Sequence, residues 1–311
     1  MALIAGFLVA VVASPLAARL ATWLGLVDVP GPLKVHARPV PYLGGLAVLV
    51  ALIGPMTGVR SSLLIPLALA CALGIADDAT DLPAGLRLVV EVGIGVVAAW
   101  VVAPHDAGHV ALGVVAVLVL VNAVNLLDGL DGLAAGVAAF AAIGFFVVLS
   151  GSSATLALTL TGALAGFLVW NVPPARVYLG DAGSYLIGTA LAMLFVAASQ
   201  HHAAVASAAF LFVGVPVADT SVAIVRRMRA RTPLLRGDRG HVYDQLVDRG
   251  WSSKLATVSC VAAQAVLTAA GIGIATLAGG VAVGLTAAIV TVVGAVAFLA
   301  FTSPRAWSPD H

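Results

Sequence analysis

Long apolar segments, separated by short polar stretches, dominate this sequence from end to end. Hydrophobic residues make up 61% of the 311 residues and charged residues only 9%, whereas roughly a quarter of the residues in a soluble domain are charged. A helix of about 20 apolar residues crosses the roughly 30 Å hydrocarbon core of a bilayer. The sequence therefore predicts an all-α, polytopic membrane protein that forms a single domain over residues 1–311.

Dividing the chain at its polar interruptions gives about eleven transmembrane helices, with ten as the alternative count. The expected spans lie near residues 3–24, 43–58, 62–76, 86–103, 109–125, 132–150, 153–170, 184–199, 203–225, 254–275 and 279–302. We expect the first span to be retained rather than cleaved as a signal peptide, because its basic residue, Arg19, follows the apolar run instead of preceding it.

The charged residues are distributed unevenly between the two sides of this predicted topology. All lysines and arginines except Arg60 fall on one side or at helix ends that face it. The positive-inside rule makes that side cytoplasmic and places the N-terminus outside. Most aspartates fall on the same side, so we expect an active site there. The net charge of +1 argues against nucleic acid as a partner.

The stretch GIADDATDLPAGLRLVVE places Asp77, Asp78 and Asp81 at the cytoplasmic end of a predicted helix. Adjacent carboxylates repel each other, and a divalent cation or an ammonium group relieves that repulsion. The alternative is a set of exposed acids that cap the next helix. Arg87 is placed either to contact a phosphate or to pair with Glu91, four residues further on.

The stretch NAVNLLDGLDGLAAG carries a polar residue at every third position, and two glycines follow within the same stretch. On a helix, Asn122, Asn125, Asp128 and Asp131 would form one polar stripe. The glycines allow the helix to bend and the backbone to approach a ligand. Polar contacts between helices would explain one amide, but not four polar groups on a single track.

The stretch WNVPPARVYLGDAGSYLIG supplies Asn171, Tyr178 and Asp181 from a proline-rich cytoplasmic loop, with Ser184 opening the next helix. Backbone N–H groups at such a helix start are suited to bind phosphate, beside a carboxylate that can bind a metal. Helix capping by Asp181 is the alternative. Tyr178 is placed either to stack on a nucleobase or to pack in the core.

Two further cytoplasmic loops carry cations. Lys34 and His36 lie in DVPGPLKVHARPVPYLGG, where prolines favour an extended path. Arg239 and His241 lie in the loop over residues 226–254, which is rich in arginine. These loops are predicted to contact either an anionic substrate or anionic lipid headgroups.

The motifs taken together resemble one family. DVPGPLKVHARPVPYLGGLAV, GIADDATDL, NAVNLLDGLDGLAAG, NVPPARVYLGDAGSYLIG and PVADTSVAIVRR occur in this order and topology. They are similar to the polyprenyl-phosphate N-acetylhexosamine-1-phosphate transferases of glycosyltransferase family 4. These include phospho-N-acetylmuramoyl-pentapeptide transferase and bacterial GlcNAc-1-phosphate transferases, and the latter branch resembles this sequence more closely.

The resemblance implies a multi-pass enzyme of the bacterial cytoplasmic membrane. It would transfer a sugar-1-phosphate, foremost N-acetylglucosamine-1-phosphate, from a UDP-amino-sugar to undecaprenyl or decaprenyl phosphate, releasing UMP and starting a cell-envelope glycan. It also implies dependence on Mg²⁺, with Mn²⁺ as the alternative, and a homodimer as the alternative to a monomer.

Site roles follow from the same resemblance. Asp77 and Asp78 resemble the acidic pair that binds or deprotonates the lipid phosphate, and Asp128 lines the catalytic site. Asn125 and Asp181 resemble the metal ligands. Other positions resemble substrate contacts: Arg87 for the diphosphate, Asp131 for uridine, Tyr178 for uracil, with Lys34, His36, Asp81, Asn122, Asn171, Arg239 and His241 as further candidates.

One motif departs from the family pattern, and two other functions remain open at this point. Where relatives carry His-x-His-His, this chain reads HVYDQL, so the donor sugar stays undecided. A membrane prenyltransferase would use the DDxxD and DxxD motifs to bind diphosphate. An ion-coupled transporter would place its acids near the bilayer midplane.

Overall fold

The computed structural model describes residues 1–29, 39–103, 107–233 and 240–302. Within these ranges the chain is almost entirely helical, which confirms the predicted all-α class. The exception is a small antiparallel pair, β1 (Val27–Asp28) and β2 (Val40–Pro41), in which Val27 faces Pro41 and Asp28 faces Val40. A short 3₁₀ turn, Ser61–Leu63, precedes the third α-helix.

Thirteen α-helices follow one another along the described chain, joined by short connections. They are α1 (Ala2–Leu24), α2 (Gly44–Thr57), α3 (Leu64–Thr80), α4 (Ala84–Val102), α5 (Ala107–Leu127), α6 (Leu133–Val148), α7 (Gly151–Asn171), α8 (Gly180–Ser199), α9 (Ala203–Phe212), α10 (Gly214–Ala230), α11 (Val242–Asp248), α12 (Ser253–Ala275) and α13 (Gly279–Phe301).

Eight helical segments of the described chain are long and apolar enough to cross a bilayer, so the protein is a multi-pass membrane protein. Helices α9 and α10 meet at a bend of 62° and together would make a ninth span. Helices α2 and α6 are apolar but shorter. The predicted count of eleven is therefore not confirmed by length and composition, which support eight or nine.

Helix α8 forms the centre of the bundle, since 89% of its apolar stretch is buried. Helix α13 lies at the periphery, where 11% of its apolar stretch is buried. Small residues allow close approach of backbones in membrane helices. A Cβ added to Gly188 on α8 would lie 2.5 Å from Cα of Val121 on α5. The absence of a side chain at this position therefore lets α5 pack directly against the central helix.

Two helix boundaries differ from the sequence-based expectation. Helix α8 begins at Gly180 rather than Ser184, because Gly180 adopts a left-handed φ of +72° that turns the chain into the helix. Helix α5 ends at Leu127. Asn122 and Asn125 therefore lie on a helix, whereas Asp128 and Asp131 lie in the turn that follows, and the four do not form one helical stripe.

Candidate active site

A cavity of about 840 Å³ opens at the end of the bundle where α5 and α7 end and where α8 and α12 begin. Carboxylates, amides, hydroxyls and aromatic rings from separate parts of the chain share it. Its polar and aromatic lining comprises Asp28, Tyr42, Asp78, Asn125, Asp128, Asp131, Asn171, Tyr178, Asp181, Tyr243, Asp244, Ser253 and Thr257. Seven of the predicted site residues are thus brought together: Asp78, Asn125, Asp128, Asp131, Asn171, Tyr178 and Asp181.

The start of α8 is pressed against α3 at one wall of this cavity. A Cβ on Gly74 would lie 2.3 Å from the backbone of Asp181 and Ala182, so only glycine permits this approach. The Asp78 carboxylate accepts hydrogen bonds from the backbone N–H groups of Asp181, at 3.1 Å, and Ala182, at 3.3 Å. The helix start that was predicted to bind phosphate is therefore occupied by a carboxylate of the protein itself.

Asp181 lies at the centre of a group of acidic side chains. The Nδ2 of Asn125 donates to its Oδ1 at 2.6 Å and to the Ser184 hydroxyl at 3.2 Å. The carboxylates of Asp77 and Asp78 also lie near that of Asp181. The carboxylates of Asp77, Asp78 and Asp181 therefore lie close together, and the Asn125 amide bonds to the last of them.

The turn after α5 adds two more acids to the cavity. Withdrawal from water, together with the carboxylates of Asp181, Asp78 and Asp131, raises the pKa of Asp128 well above its ordinary range. The Asp131 carboxylate accepts the backbone N–H of Ala175 at 2.9 Å, which ties this turn to the loop after α7. The cavity therefore has a strongly negative floor that favours cations.

Tyr178 lies on the loop before α8 and lines the same cavity as the acids. Burial raises the pKa of its phenol to about 12, and the nearby carboxylates of Asp131, Asp28 and Asp128 act in the same direction. The backbone N–H of Tyr178 donates to the Pro41 carbonyl at 2.9 Å, so strand β2 fixes the ring's position. This half-buried ring presents a neutral aromatic surface to the cavity.

Asp77 does not line the cavity that Asp78 faces. Its carboxylate accepts hydrogen bonds from Arg87 Nη1 at 2.8 Å and from the Tyr185 hydroxyl at 2.5 Å. The backbone N–H of Leu82 adds a third, at 2.8 Å. Asp77 and Arg87 thus form a partly buried ion pair beside the site, and neither lines the cavity.

Two other predicted residues bond to the protein itself, and a third is exposed outside the cavity. Asn122 donates to Glu91 Oε2 at 2.8 Å, away from the cavity. Asn171 lines the cavity, but its Oδ1 accepts the backbone N–H of Gly132 and its Nδ2 donates to the Val177 carbonyl, both at 3.0 Å. Asp81 is exposed after the end of α3 and does not line the cavity. Substrate contacts by Asn122 and Asp81 remain predictions without geometric support.

His241 is buried just outside the cavity, with its Nδ1 2.7 Å from Asp219 Oδ2. It begins α11, and its ring stacks on Tyr243, which does line the cavity. Arg239, Lys34 and His36 lie outside the described residues. The part of the loop 226–254 that lines the cavity in the described residues is α11 together with Ser253.

Comparison with known proteins shows to which family this chain belongs. A family model described as glycosyl transferase family 4 matches residues 61–199, which include the DDxxD motif, the stretch 122–136 and the start of α8. An undecaprenyl-phosphate alpha-N-acetylglucosaminyl 1-phosphate transferase from Salmonella typhi is 30% identical over 83% of this chain and 78% of its own length. This chain belongs to glycosyl transferase family 4.

Two further relatives are similar to this chain over most of its length. A Bacillus subtilis (strain 168) protein with the name "Probable undecaprenyl-phosphate N-acetylglucosaminyl 1-phosphate transferase" is 28% identical over 83% of this chain and 79% of its own. A decaprenyl-phosphate N-acetylglucosaminephosphotransferase from Mycobacterium tuberculosis (strain ATCC 25618 / H37Rv) is 26% identical over 76% and 72%. The names of all three relatives describe transferases.

Sequence reasoning did not single out Tyr185, which donates to Asp77, or the contact of Glu91 with Asn122. Tyr243 and Asp244, which line the cavity, belong to the loop over residues 226–254 that was predicted to contact either an anionic substrate or anionic lipid headgroups. A partial signal existed for Tyr185, which follows Asp181 by four residues and so lies on the same face of α8. Glu91 was considered only as a partner of Arg87.

Within the described ranges, no three His, Cys, Asp or Glu side chains are grouped closely enough to hold a metal ion by themselves. Magnesium is commonly bound by one or two carboxylates together with substrate phosphates. The pair Asn125 and Asp181 fits that second arrangement, since rotation of the amide by a half turn would present its oxygen beside the carboxylate.

Proposed function

We propose that this protein transfers a sugar 1-phosphate from a UDP-sugar to undecaprenyl or decaprenyl phosphate and releases UMP. The names of its relatives support polyprenyl phosphate as acceptor and N-acetylglucosamine 1-phosphate as the transferred group. The observation that carries the proposal is the cavity itself. Asp78, Asn125, Asp128 and Asp181 gather at the ends of apolar helices, where a water-soluble donor can meet a membrane-bound acceptor.

Asn125 and Asp181 would hold Mg²⁺ in this reaction, with Mn²⁺ as a substitute. When bound, the ion supplies positive charge that reduces the repulsion between the two phosphates and the acidic cavity. The grouping of the Asp78, Asp128 and Asp181 carboxyl groups around the Asn125 amide supports this proposal, since carboxylates are the ligands that Mg²⁺ prefers.

The aromatic part of the cavity would bind the nucleoside. Tyr178 presents a ring held by β2 on which uracil can stack. Asp131 lines the cavity near that ring, and we assign it to the contact with uridine. The diphosphate would then extend toward Asn125 and Asp181, with the sugar beyond it.

The chemical step is an in-line displacement at the sugar-bearing phosphorus. An oxygen of the lipid phosphate forms a new P–O bond there, and the bond to the bridging oxygen of UMP breaks. Because a phosphate is already ionised at neutral pH, the attack needs orientation more than deprotonation. We assign that orientation to Asp78, whose carboxylate faces the cavity, with Asp77 holding the adjacent backbone.

Two features count against the other candidate functions. Asp81, the last acid of DDxxD, is exposed outside the cavity, so the motif is not arranged as one diphosphate site. The cavity's acids lie at helix ends rather than at mid-helix, unlike the acids of an ion-coupled transporter. We further propose that the cavity faces the cytoplasm, in accordance with the charge distribution of the loops.

The deciding experiment is to incubate the purified full-length protein with Mg²⁺, undecaprenyl phosphate and each of several UDP-sugars, and to measure UMP. We expect UMP to be released with UDP-N-acetylglucosamine or a related amino sugar, and only when the lipid acceptor is present. Release of UDP or of diphosphate instead would refute the proposed reaction. Loss of UMP release with EDTA, restored by Mg²⁺, tests the ion.

A further inference from the structure

The end of α13 is bonded to the segment that forms one wall of the cavity, although no residue of α13 lines the cavity itself. Gln245, a fully buried residue of α11, donates from its Nε2 to the Phe301 carbonyl at 3.0 Å and to the Gly240 carbonyl at 2.9 Å. One amide group therefore joins α11 to the last turn of α13.

Two arginines bind the same helix end. Arg249, just after α11, donates to the Ala300 carbonyl at 2.7 Å, and its guanidinium lies 4.6 Å from the centre of the Phe301 ring. Arg229 of α10 donates to the Thr302 carbonyl at 2.9 Å. The last carbonyls of a helix lack partners within it and carry partial negative charge, so cations bind them favourably.

The start of α11 contacts the cavity, the end of α5 and Asp219 of α10. The Tyr243 hydroxyl donates to the Leu126 carbonyl at 2.9 Å, and a Cβ on Gly129 would collide with the same ring. The backbone N–H of Val242 donates to Asp219 at 2.6 Å. The short helix α11 is thus held between the ends of α5 and α13 and Asp219 of α10.

We infer that Gln245 and Arg249 are positioning residues. By bonding to the end of α13, they fix α11 and therefore the wall of the cavity that Tyr243 and Asp244 form. Only 11% of the apolar stretch of α13 is buried, so the polar contacts at this end fix the helix relative to α11. The inference rests on the proposed function, because Tyr243 and Asp244 line the cavity together with Tyr178, on which the UDP-sugar is proposed to stack.

The test compares Arg249→Ala and Gln245→Ala with the full-length wild-type protein. At saturating undecaprenyl phosphate we expect the KM for UDP-N-acetylglucosamine, or for the UDP-sugar that proves active, to rise about fivefold in Arg249→Ala. The KM for undecaprenyl phosphate should change less than twofold. Arg249→Lys should recover part of the loss, since it can still donate to Ala300. Arg19→Ala removes an exposed arginine from α1 and serves as the control.

A second measurement does not depend on activity. Amide hydrogen exchange of residues 241–248 should be faster in both variants than in wild type, without substrate. Unchanged exchange in both variants would overturn the inference, as would a fall in kcat with both KM values unchanged. Failure of the wild type to release UMP with any UDP-sugar would refute the proposed function, while the exchange comparison would still test the contact between α11 and α13.

Discussion

The hydroxyl of Tyr185 lies 2.5 Å from the carboxylate of Asp77 and donates a hydrogen bond to it. Arg87 binds the same carboxylate oxygen at 2.8 Å. Asp77 is therefore neutralised within the protein, whereas its neighbour Asp78 faces the cavity. Two adjacent aspartates in one motif thus have different structural situations, and we assign them different roles, positioning for Asp77 and substrate orientation for Asp78.

The first prediction concerns this hydrogen bond. Tyr185→Phe keeps the ring and removes the hydroxyl, so Asp77 loses one donor beside Asp181. We expect kcat to fall about tenfold, as for the loss of one hydrogen bond to a charged group, with nearly unchanged thermal stability in detergent. Arg87→Lys, which keeps the charge, should lose less activity than Arg87→Ala. Wild-type kcat in Tyr185→Phe would show that the bond is dispensable.

The second prediction concerns the approach of α8 to α3. Gly74→Ala places a methyl group 2.3 Å from the backbone of Asp181 and Ala182, so the start of α8 must move. We expect UMP release to fall by at least about a hundredfold, because a displacement of about 1 Å at a catalytic group costs this much. Gly54→Ala on α2, where a Cβ would meet nothing within 4 Å, is the matched control and should remain active.

The third prediction concerns the centre of the acidic group. Asp181→Asn retains the shape of the side chain but removes the charge proposed to hold Mg²⁺. Turnover should become undetectable while expression and melting temperature stay close to wild type. Asp81→Asn alters an exposed aspartate outside the cavity and should preserve activity. Full activity in Asp181→Asn would remove the basis for the proposed metal site.

The fourth prediction concerns nucleoside binding. Stacking of a base on an aromatic side chain contributes about 1–3 kcal/mol, so Tyr178→Ala should raise the KM for the UDP-sugar roughly tenfold or more. Tyr178→Phe preserves the ring and should bind the donor nearly as well as wild type. Initial rates of UMP release over a range of donor concentrations would measure both. Equal KM values in the two variants would contradict the stacking role.

Much of the cavity could be predicted from sequence, because acids and amides are costly at the ends of apolar helices unless they have a function. That argument found Asp78, Asn125, Asp128 and Asp181, which the structure brings together. It failed to separate Asn122 from Asn125, because spacing along a helix does not show which neighbouring helix each residue faces. Asn122 faces Glu91 on α4 instead.

The sequence alone could not identify the residues that fix the geometry of the site. Tyr185 and Gln245 carry no motif, and their roles arise from partners distant in the chain, Asp77 and Phe301. Gly74 resembles any other small residue of a membrane helix until the start of α8 is seen against it.

The sequence by itself determined that this chain is a helical membrane protein with carboxylates concentrated at one end of its helices. Hydrophobicity and the cost of charge in lipid act on each segment separately, so they can be read along the chain. Only the tertiary structure decided which of those carboxylates face a common cavity and which are neutralised by the protein. That outcome depends on contacts between helices, and neither composition nor spacing specifies them.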